Sequence, residues 1–241
     1  MCTVSYIPNK KTGGFVLTSN RDEKAYRPTV PPKIYKVGET NIGFPKDEKA
    51  GGSWIAANNR GRLCCLLNGA FEAHVKKSVY AQSRGNILVE AALSPKNPEQ
   101  YFAEKNLEDV EPFTIITVEE NADIVTHFSE FVWDGTHKYY RQLNPDENYI
   151  WSSATLYSKE HRTLRRQWFN KFISEMNGSI SPESILGFHA GKHTEDHSIN
   201  LVMERDGGLE TVSITQVLPV NGKLEMQYFD LNNQQNTKLE I

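Results

Sequence analysis

Apolar and polar positions along this chain follow two periods, and the changes between them mark out its elements. Thr3 to Ile7 alternates weakly and predicts a first strand. Asn9 to Gly14 predicts a turn, with Gly13-Gly14 permitting positive φ, and Phe15 to Thr18 predicts a second strand. The pair forms a hairpin, so the residues that follow it return close to Cys2. Arg27 to Pro45 carries four prolines among scattered polar residues and predicts an irregular loop. Ser53 to Ala57 and Arg62 to Asn68 predict two further strands, joined by the turn Asn58-Asn59-Arg60-Gly61.

Ser78 to Leu93, with apolar Val79, Ile87, Leu88, Ala91 and Ala92, predicts a helix, and Pro98 to Lys105 a short second one. Strands are predicted over Thr114 to Val118, Asp123 to Phe128 and Tyr149 to Ser152. Lys159 to Met176 is the longest helical pattern, with Leu164, Trp168, Phe169, Phe172 and Ile173 near one stripe. Pro182 opens another short helix, and Ile199 to Met203, Thr211 to Val217 and Leu224 to Phe229 return to strands. Sequential hairpins with helices grouped between them predict an α+β chain with mainly antiparallel sheets, two sheets lying between helical layers. No boundary divides residues 1 to 241, which read as one domain.

Composition narrows the function classes. The chain is 38% hydrophobic and 24% charged, as in a soluble globular protein. A net charge of −3 with both signs interspersed gives no electrostatic case for nucleic acid or an anionic membrane surface. Apolar runs such as Leu63 to Leu67 are too short to span a bilayer, and the start lacks the apolar core of a signal peptide. Cys64 and Cys65 are adjacent, so in a strand they point to opposite faces and read as reduced core thiols. These features predict a cytoplasmic protein. The densest basic cluster, His161-Arg162, Arg165-Arg166 and Lys171, reads as a solvated helix face. Oligomeric state leaves no signal.

Candidate chemistry concentrates at the chain start. Cys2 follows Met1, and removal of Met1 would put a thiol and a free α-amine on one residue, a nucleophile with its own base. With thiol and amine pKa values of about 8.5 and about 8, the two exchange a proton near neutral pH. Arg21 is a cation that would favour the thiolate, and Asp22 could orient the amine. In an extended strand, however, Asn20 and Asp22 share a face and Arg21 points away, so a joint site needs a turn or bulge. The alternative for this segment is a surface salt-bridge cluster with Glu23 and Lys24. Asn68 closes a predicted strand, where its amide either meets a developing oxyanion or simply serves the turn at Gly69. His189, His193 and His197 are spaced four apart, but Gly191 interrupts them, and a polar loop is the better reading than zinc. The glycine pairs lack the pattern of a phosphate loop.

Several of these residues carry a family signature. Met1-Cys2 with Asn20-Arg21-Asp22-Glu23, then Gly51-Gly52-Ser53-Trp54, Asn59-Arg60-Gly61, Leu67-Asn68 and Ser83-Arg84-Gly85 occur in order over the first 90 residues or so. The chain resembles the NRDE family, which includes the transport and Golgi organisation protein 2 group. That family is similar in layout to the N-terminal nucleophile hydrolases, above all the penicillin V acylase and bile salt hydrolase group. The resemblance implies a four-layer αββα sandwich and cleavage of a small or linear amide through a thioester on Cys2, with no external cofactor and no metal. It implies that Asp22 holds the α-amine, that Asn68 helps form the oxyanion hole, and that Arg21 sits beside the thiol. The chain departs from the acylases in two places. Their arginine three residues before the aspartate is Ser19 here, and an asparagine after their middle strand is Ser153 here. Their late arginine is matched loosely by Arg205. A second reading is a non-catalytic binding or trafficking protein that keeps the fold, related to haem or lipid. Cys2, His189, His193 and His197 are then the candidate haem ligands.

Overall fold

The computed structural model describes residues 3–10, 13–176, 178 and 180–241. In chain order the elements are β1 (Thr3–Pro8), β2 (Phe15–Lys24), β3 (Thr29–Val37), β4 (Thr40–Asp47), β5 (Ile55–Asn58) and β6 (Arg62–Asn68). The helices α1 (Arg84–Leu93) and α2 (Pro98–Glu104) follow, then β7 (Phe113–Asn121), β8 (Ile124–Trp133), β9 (Lys138–Gln142) and β10 (Tyr149–Ser152). Helices α3 (Lys159–Glu175) and α4 (Pro182–Ala190) precede β11 (Glu204–Arg205), β12 (Leu209–Val220), β13 (Lys223–Asp230) and β14 (Gln235–Glu240).

These strands make two antiparallel sheets. One runs β10-β1-β2-β12-β13-β14, with β11 attached to β12, and the other runs β3 through β9 in sequence order. Three apolar clusters separate four layers. One, with Val4, Leu17, Ile55, Leu67 and Met226, fills the space between the sheets. A second, with Ile87, Leu88, Phe102 and Phe131, lies under α1 and α2 on the β3–β9 sheet. A third, with Ile7, Val16, Phe169 and Phe188, joins α3 and α4 to the other sheet. The α+β, αββα arrangement is therefore present as expected. Among the described residues no helix is long and apolar enough to cross a membrane.

Local chemistry sets the ends of the elements. Asn9 and Gly14 close the first hairpin, Asn9 N–H donating to Gly14 O at 2.7 Å. Ser181 and Ser184 form a reciprocal capping box at α4, with Pro182 in its first turn. Ser158 accepts from His161 N–H at the start of α3.

Several expectations are corrected. Residues 29–47 are two paired strands and not a loop. Pro31 and Pro32 fall in a register shift of the edge strand β3, between Val30 and Lys33, where no ladder donor is lost, and Pro45 lies opposite that shift. Residues 78–83 precede α1 instead of joining it. Residues 199–203 form no strand, while β9 and β14 went unforeseen because their patterns are largely polar. On α3 the inward position expected for Leu164 belongs to Arg165, which is 1% exposed, so the basic cluster is not wholly a solvated face. Cys64 and Cys65 do face opposite layers of core.

Candidate functional site

The second strand carries the family segment deep inside the sandwich. It continues to Lys24 instead of ending at Thr18, and Thr18 to Asp22 are all buried. Among the described residues its pairing with β1 runs to Thr3↔Asn20, and on the other side it stays paired with β12 through Leu209↔Lys24. Thr3 also faces Ser152 at the end of β10. Met1 and Cys2 lie outside the described residues, so Thr3 marks the start of the described chain.

Arg21 and Asp22 take opposite faces, as strand alternation requires. Arg21 turns toward the other sheet, donating to Asp47 Oδ2 and Thr29 Oγ1, each at 2.9 Å, with its guanidinium 4.3 Å from the centre of the Trp54 ring. Burial lowers the Arg21 pKa, against the opposing pull of Glu23 and Asp47. Burial also pushes the Asp47 carboxyl up, but the Ala50 N–H and the guanidinium groups of Arg27 and Arg21 outweigh it and hold Asp47 below the usual carboxylate range.

Asp22 turns outward, toward the helical layer, where Tyr157 donates its hydroxyl to Oδ2 and Thr211 its own to Oδ1, both at 2.6 Å. Thr211 Oγ1 also lies 3.1 Å from Leu201 O, but its single proton goes to the shorter, charge-assisted bond. The Tyr157 ring has the Arg165 guanidinium 3.5 Å from its centre and that of Arg205 at 5.0 Å. Arg205 spends its donors on the carbonyls of Ser198 and Leu156. Among the described contacts Arg205 reaches Asp22 through Tyr157.

Asn68 ends β6, and Gly69 turns the chain there with φ +83°. A Cβ on Gly69 would come within 2.8 Å of Thr155 Cγ2, so only glycine lets the strand end this close to the segment after β10. Ser153 donates to Asn68 O at 2.7 Å and fixes that junction. Among the described residues the Asn68 side-chain amide has no partner. It lines two cavities at once. The first, about 460 Å³, lies beside Arg21, Trp54 and Arg84. The second, about 190 Å³, lies beside Trp151, Ser153 and Arg162.

The glycine motifs have a physical cause. Gly52 and Gly85 cross backbone to backbone, where a Cβ on Gly52 would meet Gly85 C at 2.5 Å and one on Gly85 would meet Ser53 O at 2.8 Å. That crossing brings α1 against the strand ends and sets Arg84 in the first cavity, paired with Glu111 at 2.9 Å.

The three histidines do not assemble. His189 lies on α4 and is fully buried, His193 follows the helix with Nε2 2.9 Å from Phe188 O, and His197 is exposed in the next loop. Asn20 donates its amide to the carbonyls of His189 and Leu201, so its Oδ1 must accept from His189 Nδ1–H. His189 Nε2 is then the acceptor for Ser5 Oγ at 2.7 Å, and both ring nitrogens are engaged. Burial, with His193 and Arg165 nearby, pulls the His189 pKa down to about 3, so the ring is neutral. Among the described residues no group of three or more His, Cys, Asp or Glu side chains could hold a metal ion.

The first cavity thus brings Arg21 and Asn68 together, while Asp22 lies on the other face of β2 with Tyr157 and Thr211, and Arg205 stacks on Tyr157. Sequence reasoning missed Tyr157 and Thr211. The cross-strand position Thr211↔Asp22 depends on pairing between residues some 190 apart, which no local pattern reports. Tyr157 sits in a loop just ahead of α3, where nothing distinguishes it.

A comparison with curated proteins finds no match. Among solved structures the chain is similar to a variant of conjugated bile acid hydrolase from Clostridium perfringens, at TM-score 0.62 and 10% identity over 99% of this chain and 92% of that one. It is also similar to penicillin V acylase from Agrobacterium tumefaciens, at TM-score 0.55 and 10% identity over 100% and 86%. An N-acylethanolamine-hydrolyzing acid amidase orthologue from Caenorhabditis elegans gives TM-score 0.52 and 14% identity over 89% and 92%. At these identities the likeness shows the fold, that of N-terminal nucleophile hydrolases. The profile described as Transport and Golgi organisation 2 matches residues 1–221, and the chain belongs to that family.

Proposed function

We propose that this protein is an amidohydrolase whose nucleophile is Cys2, exposed as the first residue by loss of Met1. The observation that carries the reading is the Asn68 amide, unpartnered among the described residues and lining two cavities. A substrate lying across Asn68 has its scissile carbonyl oxygen within reach of a donor already in place. The Cys2 thiolate attacks the carbonyl carbon after its proton passes to the α-amine. The α-ammonium protonates the departing nitrogen as the C–N bond breaks, which leaves a thioester and a free amine. Water, deprotonated by the α-amine, then releases the carboxylic acid and restores the thiol.

Asp22 holds the α-amine in this scheme, its own position fixed by Tyr157 and Thr211. Arg21 lends positive charge from the opposite face, and Arg205 acts at one remove by stacking on Tyr157. Cys64 and Cys65 are unsuited to the role, because burial pushes their thiols up to about 11 and about 12. No cofactor takes part. The substrate is a small or linear amide. The similar structures include an N-acylethanolamine-hydrolyzing acid amidase, a conjugated bile acid hydrolase and a penicillin V acylase, which supports this class.

The test is the mass of the purified protein, followed by labelling with a thiol-directed acyl probe. Loss of Met1 and a single acyl adduct that disappears in Cys2→Ala are expected. Retained Met1, or labelling that survives Cys2→Ala, overturns the mechanism. In Asn68→Ala, deacylation and turnover should fall by about 10²–10³, the usual effect of removing one oxyanion donor.

A further inference from the structure

The second cavity holds two guanidinium groups that no described residue pairs with. Arg162 and Arg166 lie one turn apart on α3 and both line it. Among the described residues neither guanidinium forms an ion pair or hydrogen bond, and Arg162 Nε is buried without a partner. Among the described residues the carboxylate in the lining is that of Glu130, whose Oε2 accepts from Trp151 Nε1 at 2.5 Å and from Arg141 at 3.2 Å. Val132, Ile150 and Trp151 add apolar lining. Two like charges at this spacing repel each other, and a half-buried guanidinium without acceptors loses hydration. An anion placed between them would relieve both costs, and the planar donors of arginine suit a carboxylate in particular.

We infer that Arg162 and Arg166 form an anion-binding subsite, so that the substrate is an amide with a carboxylate on the part that enters the second cavity. The inference rests on the proposed hydrolase reading for the word substrate, but the subsite itself does not need catalysis. At about 190 Å³ the cavity takes one arm of a ligand and not a whole drug-sized molecule. The remainder lies across Asn68 in the larger cavity. Ser152 and Ser153 also line this cavity.

The experiment uses the full chain carrying Cys2→Ala, so binding is read without turnover. Matched pairs of small amides, each as the free carboxylate and as its methyl ester, are titrated by calorimetry and by fluorescence, Trp151 being in the cavity wall. Inorganic phosphate serves as a separate arm. The carboxylate should bind at least about tenfold more tightly than the ester, the factor that corresponds to ~1.4 kcal/mol. Arg162→Gln with Arg166→Gln should abolish that preference. Arg166→Glu, at an exposed position whose change does not threaten folding, should reverse it. Equal affinity for acid and ester, a preference that survives the double variant, or phosphate binding as tightly as the carboxylate amide would each overturn the inference. A carboxylate preference in a protein that keeps Met1 leaves the subsite standing and removes only the hydrolase. Acyl labelling of Cys2 without any carboxylate preference removes only the subsite.

Discussion

In the first cavity every carboxylate meets a guanidinium. Asp47 is paired with Arg21 and Arg27, Glu23 with Arg27, and Glu111 with Arg84. In the second, which Asn68 also lines, two arginines stand without a carboxylate partner among the described residues, and Glu130 Oε2 accepts from Trp151 and Arg141 instead. The cavities use similar residues toward different ends. Where charges are matched, the ion pairs hold the walls, since breaking one leaves a buried charge uncompensated. Where they are unmatched, the fold gains nothing from the charges.

The sharpest way to break this contrast is Asp47→Asn. It strips the buried Arg21 of its carboxylate and should cost about 3–5 kcal/mol of folding stability in urea titrations. A loss below about 1 kcal/mol would mean that the first cavity's charges are no more structural than the second's. Tyr157→Phe should cost about 1.5–3 kcal/mol, because it removes one of two hydroxyl donors to the buried Asp22. The same variant should slow acylation of Cys2 if Asp22 positions the α-amine, whereas a purely structural Asp22 predicts lower stability with an unchanged labelling rate.

The Ser5–His189–Asn20 chain adds a buried polar set that is neutral, and its signature is pH. The ring titrates near pH 6.5 when unfolded and at about 3 when folded, so the unfolded state binds the extra proton between those values. Its contribution is complete above about pH 6.5 and falls as pH drops toward 3, with a limiting slope near 1.4 kcal/mol per pH unit. His189→Gln should remove that part of the slope, seen as the difference between the two stability profiles from pH 7 to 4. Identical profiles would show that the ring is not the titrating group. Smallest of all, Arg166→Gln should change stability by less than about 0.5 kcal/mol, since the side chain is exposed and has no partner among the described residues. A large loss there would place the second cavity in the same class as the first.

Much of the architecture was legible because antiparallel hairpins write themselves locally. Arg62–Asn68 and Tyr149–Ser152 came out at the expected bounds, and the layer order followed from grouped helices. Prolines misled at residues 29–47, because a register shift at a sheet edge accommodates them and leaves no local trace. Buried polarity was the other blind spot. Thr18 to Asp22 look like a solvent-facing strand end, yet each is satisfied by partners distant in sequence. Arg165 shows the same effect on a helix: its donors reach the carbonyls of Ile199 and Asn200, so a residue that composition assigns to water fills the core. Arg21, Asp22 and Asn68 could be named from the motif, but the opposed directions of the first two followed only from strand alternation, and their partners from tertiary pairing.

The crossing of Gly52 over Gly85 carries a consequence for how such a molecule can diversify. Two bare backbones in contact act as a spacer of fixed thickness, independent of whatever residues decorate the neighbouring walls. Side chains around the cavities can therefore be exchanged, by selection or by an engineer, without the gap between sheet and helix being reset. Inserting a single methyl group at either glycine would shift that gap, and with it every alignment that depends on it.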